Sequence, residues 1–189
     1  MNDLSRYQID REKAGLLVID IQDRLAAAMD QDGLALVSKN TGRLLVGAQT
    51  LEVPVIVTEQ YPKGIGPTID AVKEHFPEDL ETISKIDFSC ALVEQVMEQI
   101  KASGRTQWIL CGMEAHICVY QTARDLVKHG YQVFIPQDAV ISRFAHNIDV
   151  GIRLMEKTGS VISSTEAVLF DMLKKAGTPE FKVISKLVR

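Results

Sequence analysis

The chain has 189 residues, of which 46% are hydrophobic and 24% charged, and a formal net charge of -4. That length suits one well-packed domain, and the hydrophobic share excludes a disordered or fibrous chain. The acidic balance lacks the basic footprint of a nucleic-acid binder, and no apolar run approaches the roughly 18 residues of a membrane span. Three cysteines, an odd number at irregular spacing, make no disulfide framework, and the start Met1-Asn2-Asp3-Leu4-Ser5 does not read as a signal peptide. A reducing, cytoplasmic location is the expectation.

Apolar runs of strand length alternate with longer stretches of helical period. Ala14 to Asp20 is a continuous apolar run ending in a carboxylate, the pattern of a central parallel strand. Leu36, Val37, Leu44, Leu45 and Ala48 recur at helical spacing and predict a helix from Leu34 to Leu51. Val53 to Thr58 reads as a second strand with its proline near the start, and Gln60 to Pro67, rich in Gly and Pro, reads as a loop. A short strand is expected at Thr82–Lys85, then a helix from Ala91 to Ala102 stopped by Ser103-Gly104.

Gln107–Gly112 is the fourth predicted strand, with a helix from Val119 to His129-Gly130 after it. The fifth strand is Val133–Pro136, and a helix from Asn147 to Lys157 leads to the sixth, Ser160–Ser163. Ser164-Thr165-Glu166 opens a last helix from Ala167 to Ala176, and the tail from Glu180 to Arg189 alternates weakly, as a segment pairing with a neighbour would. Strands alternating with helices imply right-handed crossovers and a parallel sheet covered on both faces. Residues 1–189 thus form one domain with a core over 13–176 and a tail over 177–189, without repeats or linkers.

Cys118 stands where a buried strand gives way to an amphipathic helix, so backbone N–H groups converge on it and the helix dipole favours its thiolate. Asp20 and Lys85 end two other predicted strands. In a parallel sheet those ends share one edge, where ligands bind, so the three can meet in one crevice. An acid, an amine and a thiol together suit acyl transfer: the thiol attacks a carbonyl, the aspartate shuttles the proton, and the lysine stabilises the thiolate and fixes the carboxylate. Taken singly, an aspartate at a strand end has a plainer role as a helix cap, and a lysine as a solvated charge.

The segments Val18-Ile19-Asp20-Ile21-Gln22, Lys85-Ile86-Asp87-Phe88-Ser89 and Gly112-Met113-Glu114-Ala115-His116-Ile117-Cys118-Val119 resemble the three signatures of the isochorismatase-like cysteine hydrolases. The resemblance extends from Lys13 to Ala176 and implies a single-domain, three-layer α/β/α fold with a mostly parallel, six-stranded, Rossmann-like sheet. It implies catalytic residues Asp20, Lys85 and Cys118, a cis peptide between Met113 and Glu114, and an oxyanion hole from the backbone N–H groups of Glu114 and Cys118. It also implies hydrolysis of a small amide-type substrate through a thioester, and a homo-oligomer, which the apolar pairs Val183-Ile184 and Leu187-Val188 would serve. A tail folded onto its own domain is the alternative use of those pairs. Gln22, Leu25, Tyr61, Phe88, His116 and Ile117 are the candidate pocket residues.

Departures from the family narrow the chemistry. Nicotinamidases carry metal-binding histidines, whereas the corresponding loop here, Thr58-Glu59-Gln60-Tyr61-Pro62-Lys63-Gly64, has none, so no metal or other cofactor is expected. Leu25 replaces the pocket aromatic usual in nicotinamidases, and isochorismatases proper usually lack the cysteine. The loop and Glu114-Ala115-His116 look most like the isochorismatase domain-containing subgroup. A redox-responsive or interaction protein that keeps a reactive thiol is the alternative reading.

Cys118 and Arg124 also match the C-x5-R of tyrosine phosphatases. The intervening residues lack glycine and read as helix, which would turn Arg124 away from the thiol. Cys111 reads as a buried hydrophobe and Cys90 as structural. Gly64-Ile65-Gly66 lacks the strand-and-helix context of a dinucleotide site.

Overall fold

A computed structural model describes residues 4–189, so the reading of Met1 to Asp3 lies outside the described residues. Strand β1 (Ala14–Ile19) is followed by a single turn α1 (Asp23–Ala26) and the long helix α2 (Gln31–Thr50). Next come β2 (Val55–Gln60), the short helices α3 (Pro62–Ile65) and α4 (Asp70–Lys73), and β3 (Ile83–Lys85). Helix α5 (Glu94–Ala102) leads to β4 (Gln107–Met113), a π turn (Ala115–Val119) and α6 (Tyr120–Lys128). The chain ends with β5 (Gln132–Pro136), β6 (Val140–Ile141), α7 (Ala145–Lys157), β7 (Val161–Ser163), α8 (Thr165–Leu173) and α9 (Pro179–Leu187).

All strand pairs are parallel, in the order β3-β2-β1-β4-β5-β7. β1 lies at the centre, its six residues all buried, which is why its sequence is apolar without alternation. The sheet has seven strands where six were expected: Val140–Ile141 pairs with the last two residues of β4. Two residues are too few to leave a periodic signal.

One hydrophobic cluster gathers α2, α8 and α9 against one face of the sheet, through Leu44, Leu45, Val168, Leu169 and Ile184. A second gathers α5, α6 and α7 against the other, through Ile100, Leu126, Met155 and Trp108. Helix starts follow local chemistry: Asp30 accepts from Gly33 N at 2.9 Å, and Thr178 accepts from Phe181 N at 3.1 Å with Pro179 in the first turn.

That second cap marks a correction. The tail is a helix rather than an extended segment for a neighbour, and it folds onto its own domain with Ile184 buried in the core. Its apolar residues at 184, 187 and 188 fit helical spacing, and Arg43 donates to Leu187 O at 2.6 Å. The Gln60–Pro67 loop is also more ordered than expected, since β2 continues to Gln60 and a helical turn follows.

Candidate active site

The C-terminal ends of β1, β3 and β4 bring together Asp20, Lys85 and Cys118. Asp20 follows β1 with φ of 54°, in the left-handed region that Asp tolerates better than most residues, and the turn aims its carboxylate into the sheet edge. Its Oδ1 accepts from Thr58 Oγ1 at 2.9 Å, and its Oδ2 lies 2.6 Å from Lys85 Nζ in a fully buried ion pair. The Cys118 thiol, in the π turn after β4, is the third group that acts on this carboxylate.

Backbone geometry at β4 sets the thiol. Gly112 pairs with Ile19 and has φ of 125°; a Cβ there would sit 2.0 Å from Ile19 O, so only glycine lets the two strands close up beside Asp20. The peptide between Met113 and Glu114 is cis. Glu114 O then accepts from Ile117 N and Val119 N, which winds the π turn carrying Cys118. Glu114 itself is gripped by Arg143 beyond β6, with Nε 2.7 Å and the backbone N 3.1 Å from Oε1.

Burial raises the Asp20 pKa above its ordinary value, against the opposing pull of Lys85. Burial pulls Lys85 down, but the Asp20 charge and hydrogen bond, together with the pull of Cys90 and Cys118, outweigh it and hold the ammonium above its ordinary value. Burial pushes the Cys118 thiol far up, and the Asp20 charge adds to that more than Lys85 subtracts. This corrects the expectation that lysine and helix dipole make a resting thiolate. The surroundings therefore favour a protonated thiol, beside a carboxyl group placed to exchange a proton with it.

The expected pocket residues divide. Gln22 is fully buried and accepts from Gln60 N at 2.6 Å while donating to Gln60 O at 3.0 Å and Gly66 O at 2.6 Å. It clamps two loops and has no amide group left for substrate, which corrects its assignment to the pocket. Leu25 packs on the α2 side of the core and Ile117 on the other side. Tyr61 and Phe88 are about half exposed at the rim, and His116 Nδ1 lies 3.0 Å from Ser142 Oγ.

Thr58, Gln60 and Arg143 are contacts that the sequence reading missed. Thr58 and Gln60 occupy alternate positions of one buried strand, and polar residues at such a strand end were the available signal. Cys90 Sγ lies 3.6 Å from Thr58 Oγ1, and burial pushes its thiol up to about 11; burial pushes Cys111 up to about 12. Arg124 lies on α6 with its Nε on Asp125 Oδ1 at 2.8 Å, so no phosphate loop forms. Among the described residues no three His, Cys, Asp or Glu side chains gather as metal ligands, and no helix is long and apolar enough to cross a membrane.

Residues 14–167 match the family described as the isochorismatase domain. The chain is 38% identical over 174 residues to isochorismatase domain-containing protein 2 of Danio rerio, covering 92% of this chain and 85% of that one. It is similar to the MAR1 ribonuclease structure from Caenorhabditis elegans, with a TM-score of 0.90 and 32% identity over 96% of this chain and 92% of the other. The YcaC gene product of Escherichia coli, described as an octameric hydrolase of unknown specificity, shares the fold at a TM-score of 0.86 and 21% identity, over 95% and 90% of the two chains.

Proposed function

The chain belongs to the isochorismatase family, and from this premise we propose that it is a metal-independent cysteine hydrolase of small amide-type substrates. The observation that carries the reading is the single buried carboxylate of Asp20, which meets the Lys85 ammonium at 2.6 Å and acts on the Cys118 thiol beside it. A base, a fixed cation and a nucleophile in contact are the minimum for acyl transfer.

In the proposed course, Asp20 takes the Cys118 proton as sulfur attacks the substrate carbonyl. The carbonyl π electrons move to oxygen, where the N–H groups of Glu114 and Cys118 would receive the oxyanion; each such donor is commonly worth about 3 kcal/mol. Collapse breaks the C–N bond, and the nitrogen leaves with the proton from Asp20. A water then gives a proton to Asp20 and attacks the thioester; the acid leaves and the proton returns to sulfur. Leu25, Tyr61, Phe88, His116 and Ile117 would frame the substrate. A cytoplasmic homo-oligomer belongs to the same proposal, supported by the octamer formed by the YcaC relative.

The test is intact-mass analysis of the protein after exposure to a panel of amides, ureides and esters, with Cys118→Ser as control. The expected result is an acyl adduct on Cys118 and release of the carboxylic acid, unchanged by chelators. No adduct or product from any of them, together with ready formation of a sulfenic acid by peroxide, would replace this reading with the redox alternative. RNA in the same panel tests the activity named for the nematode relative; the acidic balance and the thiol nucleophile favour a small carbonyl substrate instead.

A further inference from the structure

The surroundings of Lys85 hold more order than a charge partner needs. Its Nζ has four oxygens within reach: Asp20 Oδ2 at 2.6 Å, Gln60 Oε1 at 2.7 Å, Asp87 O at 3.2 Å and Phe88 O at 3.3 Å. A neutral amine has two N–H groups and a lone pair, so it would set that lone pair against an acceptor; an ammonium has three N–H groups to spend. The environment is therefore built for the cation.

Gln60 is the uncharged side chain among these acceptors, and its orientation is determined. Its Nε2 donates to Ile86 O at 2.7 Å, which leaves Oε1 for Lys85. Its backbone is gripped on both sides by Gln22. Both glutamines are buried, and the oxygen and nitrogen of each amide already have a partner in the protein.

We propose that Gln60 is a positioning residue for the hydrolysis inferred above: a neutral acceptor, aimed by Ile86 and Gln22, that keeps Lys85 an ammonium without cancelling its charge. The proposal rests on that reading for its purpose. A carboxylate at position 60 would also hold the cation, but it would absorb the field that Lys85 directs at Asp20 and at sulfur. The titratable groups facing Lys85 are Asp20 after β1, Cys90 before α5 and Cys118 in the π turn. Burial pushes both thiols up, and among the three Asp20 acts most strongly on Lys85, by its charge and by a hydrogen bond.

The experiment follows the Lys85 ammonium by nitrogen NMR of isotopically labelled lysine across an alkaline titration, with Lys85→Met for assignment. In Gln60→Met the midpoint falls by about one unit or more, because one strong hydrogen bond to the charged form is lost. In Gln60→Glu the midpoint stays at or above that of the parent. An unchanged midpoint in a folded Gln60→Met protein overturns the proposal.

Should Gln60→Met fail to fold, Gln60→Glu carries the test through the alkylation of Cys118 by iodoacetamide. At about pH 8 its rate falls by about tenfold, one pKa unit, as the added carboxylate offsets Lys85 at the sulfur. An unchanged rate overturns the proposal. Neither measurement uses turnover, so failure of every amide to react would sink the hydrolase reading without touching these results.

Discussion

At the scale of single residues, the decisive quantity is the proton on Cys118. A thiol that is buried beside a carboxylate is a weaker resting nucleophile than one in water, and a lysine does not reverse this when the carboxylate acts on the sulfur more strongly. The consequence is an opposition between reactivity and turnover. Asp20→Asn removes the negative charge that holds the proton on sulfur and leaves Lys85 to favour the thiolate. Alkylation of Cys118 near pH 8 is expected to rise by about tenfold, while hydrolysis of a competent amide falls by about 10²-fold or more with its general base gone. Paired rate measurements on the two proteins check this. Parallel losses in both assays would mean that Asp20 activates the thiol at rest, contrary to the balance of charges around it.

Elements matter here because three of them must arrive at the thiol with their backbones close together. Helix α7 reaches the π turn through Gly151, where a Cβ would lie 2.7 Å from Ala115 C and O and 2.9 Å from His116 N. Backbone atoms cannot rotate aside, so Gly151→Ala should displace the turn at a cost of about 1–3 kcal/mol, with a lower kcat even at temperatures where the protein stays folded. Urea unfolding and steady-state kinetics measure the two effects. The ends of β4 and β6 are joined by Glu114 and Arg143, and here pH provides the test. Burial pushes the Glu114 carboxyl up, but the Arg143 hydrogen bonds and charge outweigh it and hold the pKa below the usual value. The unfolded chain then binds the proton more readily, so this contribution is complete above about pH 4.3 and is lost as pH falls through the lower folded value. Arg143→Met should lower Tm at neutral pH, with a deficit that shrinks below about pH 4. A deficit independent of pH would assign Arg143 to packing alone.

The whole molecule is one sheet with a hydrophobic cluster on each face, and Trp108 of β4 is fully buried in one of them. Loss of either layer exposes the same sheet, so unfolding should be a single transition. Emission from Trp108, the chain's one tryptophan, and far-ultraviolet circular dichroism should give coincident urea curves for the protein. Ending the chain after Gly177 removes α9 and its buried Ile184, which should lower the common midpoint rather than split it. Separate transitions for the two probes would show two folding units instead of one. The same architecture explains why the tail misled the reading of its sequence: five apolar residues in ten fit a weak strand or a short helix, and the surface of α2 and α8 decided between them.

The sequence by itself determined the alternation of strands and helices, the central place of the apolar β1, and the three chemical residues at strand ends, because burial on both faces and the turn from strand to helix write themselves locally as composition and period. The family likeness of its three segments was legible for the same reason. Only the tertiary structure decided what surrounds those residues. Thr58 and Gln60 meet Asp20 and Lys85 through strand register, Arg143 reaches Glu114 through a two-residue strand, and Gln22 turns from a candidate pocket wall into a clamp. The protonation of Cys118 belongs to that set as well. It is the sum of burial and two opposite charges from distant parts of the chain, and such a sum exists only once the chain has closed around it.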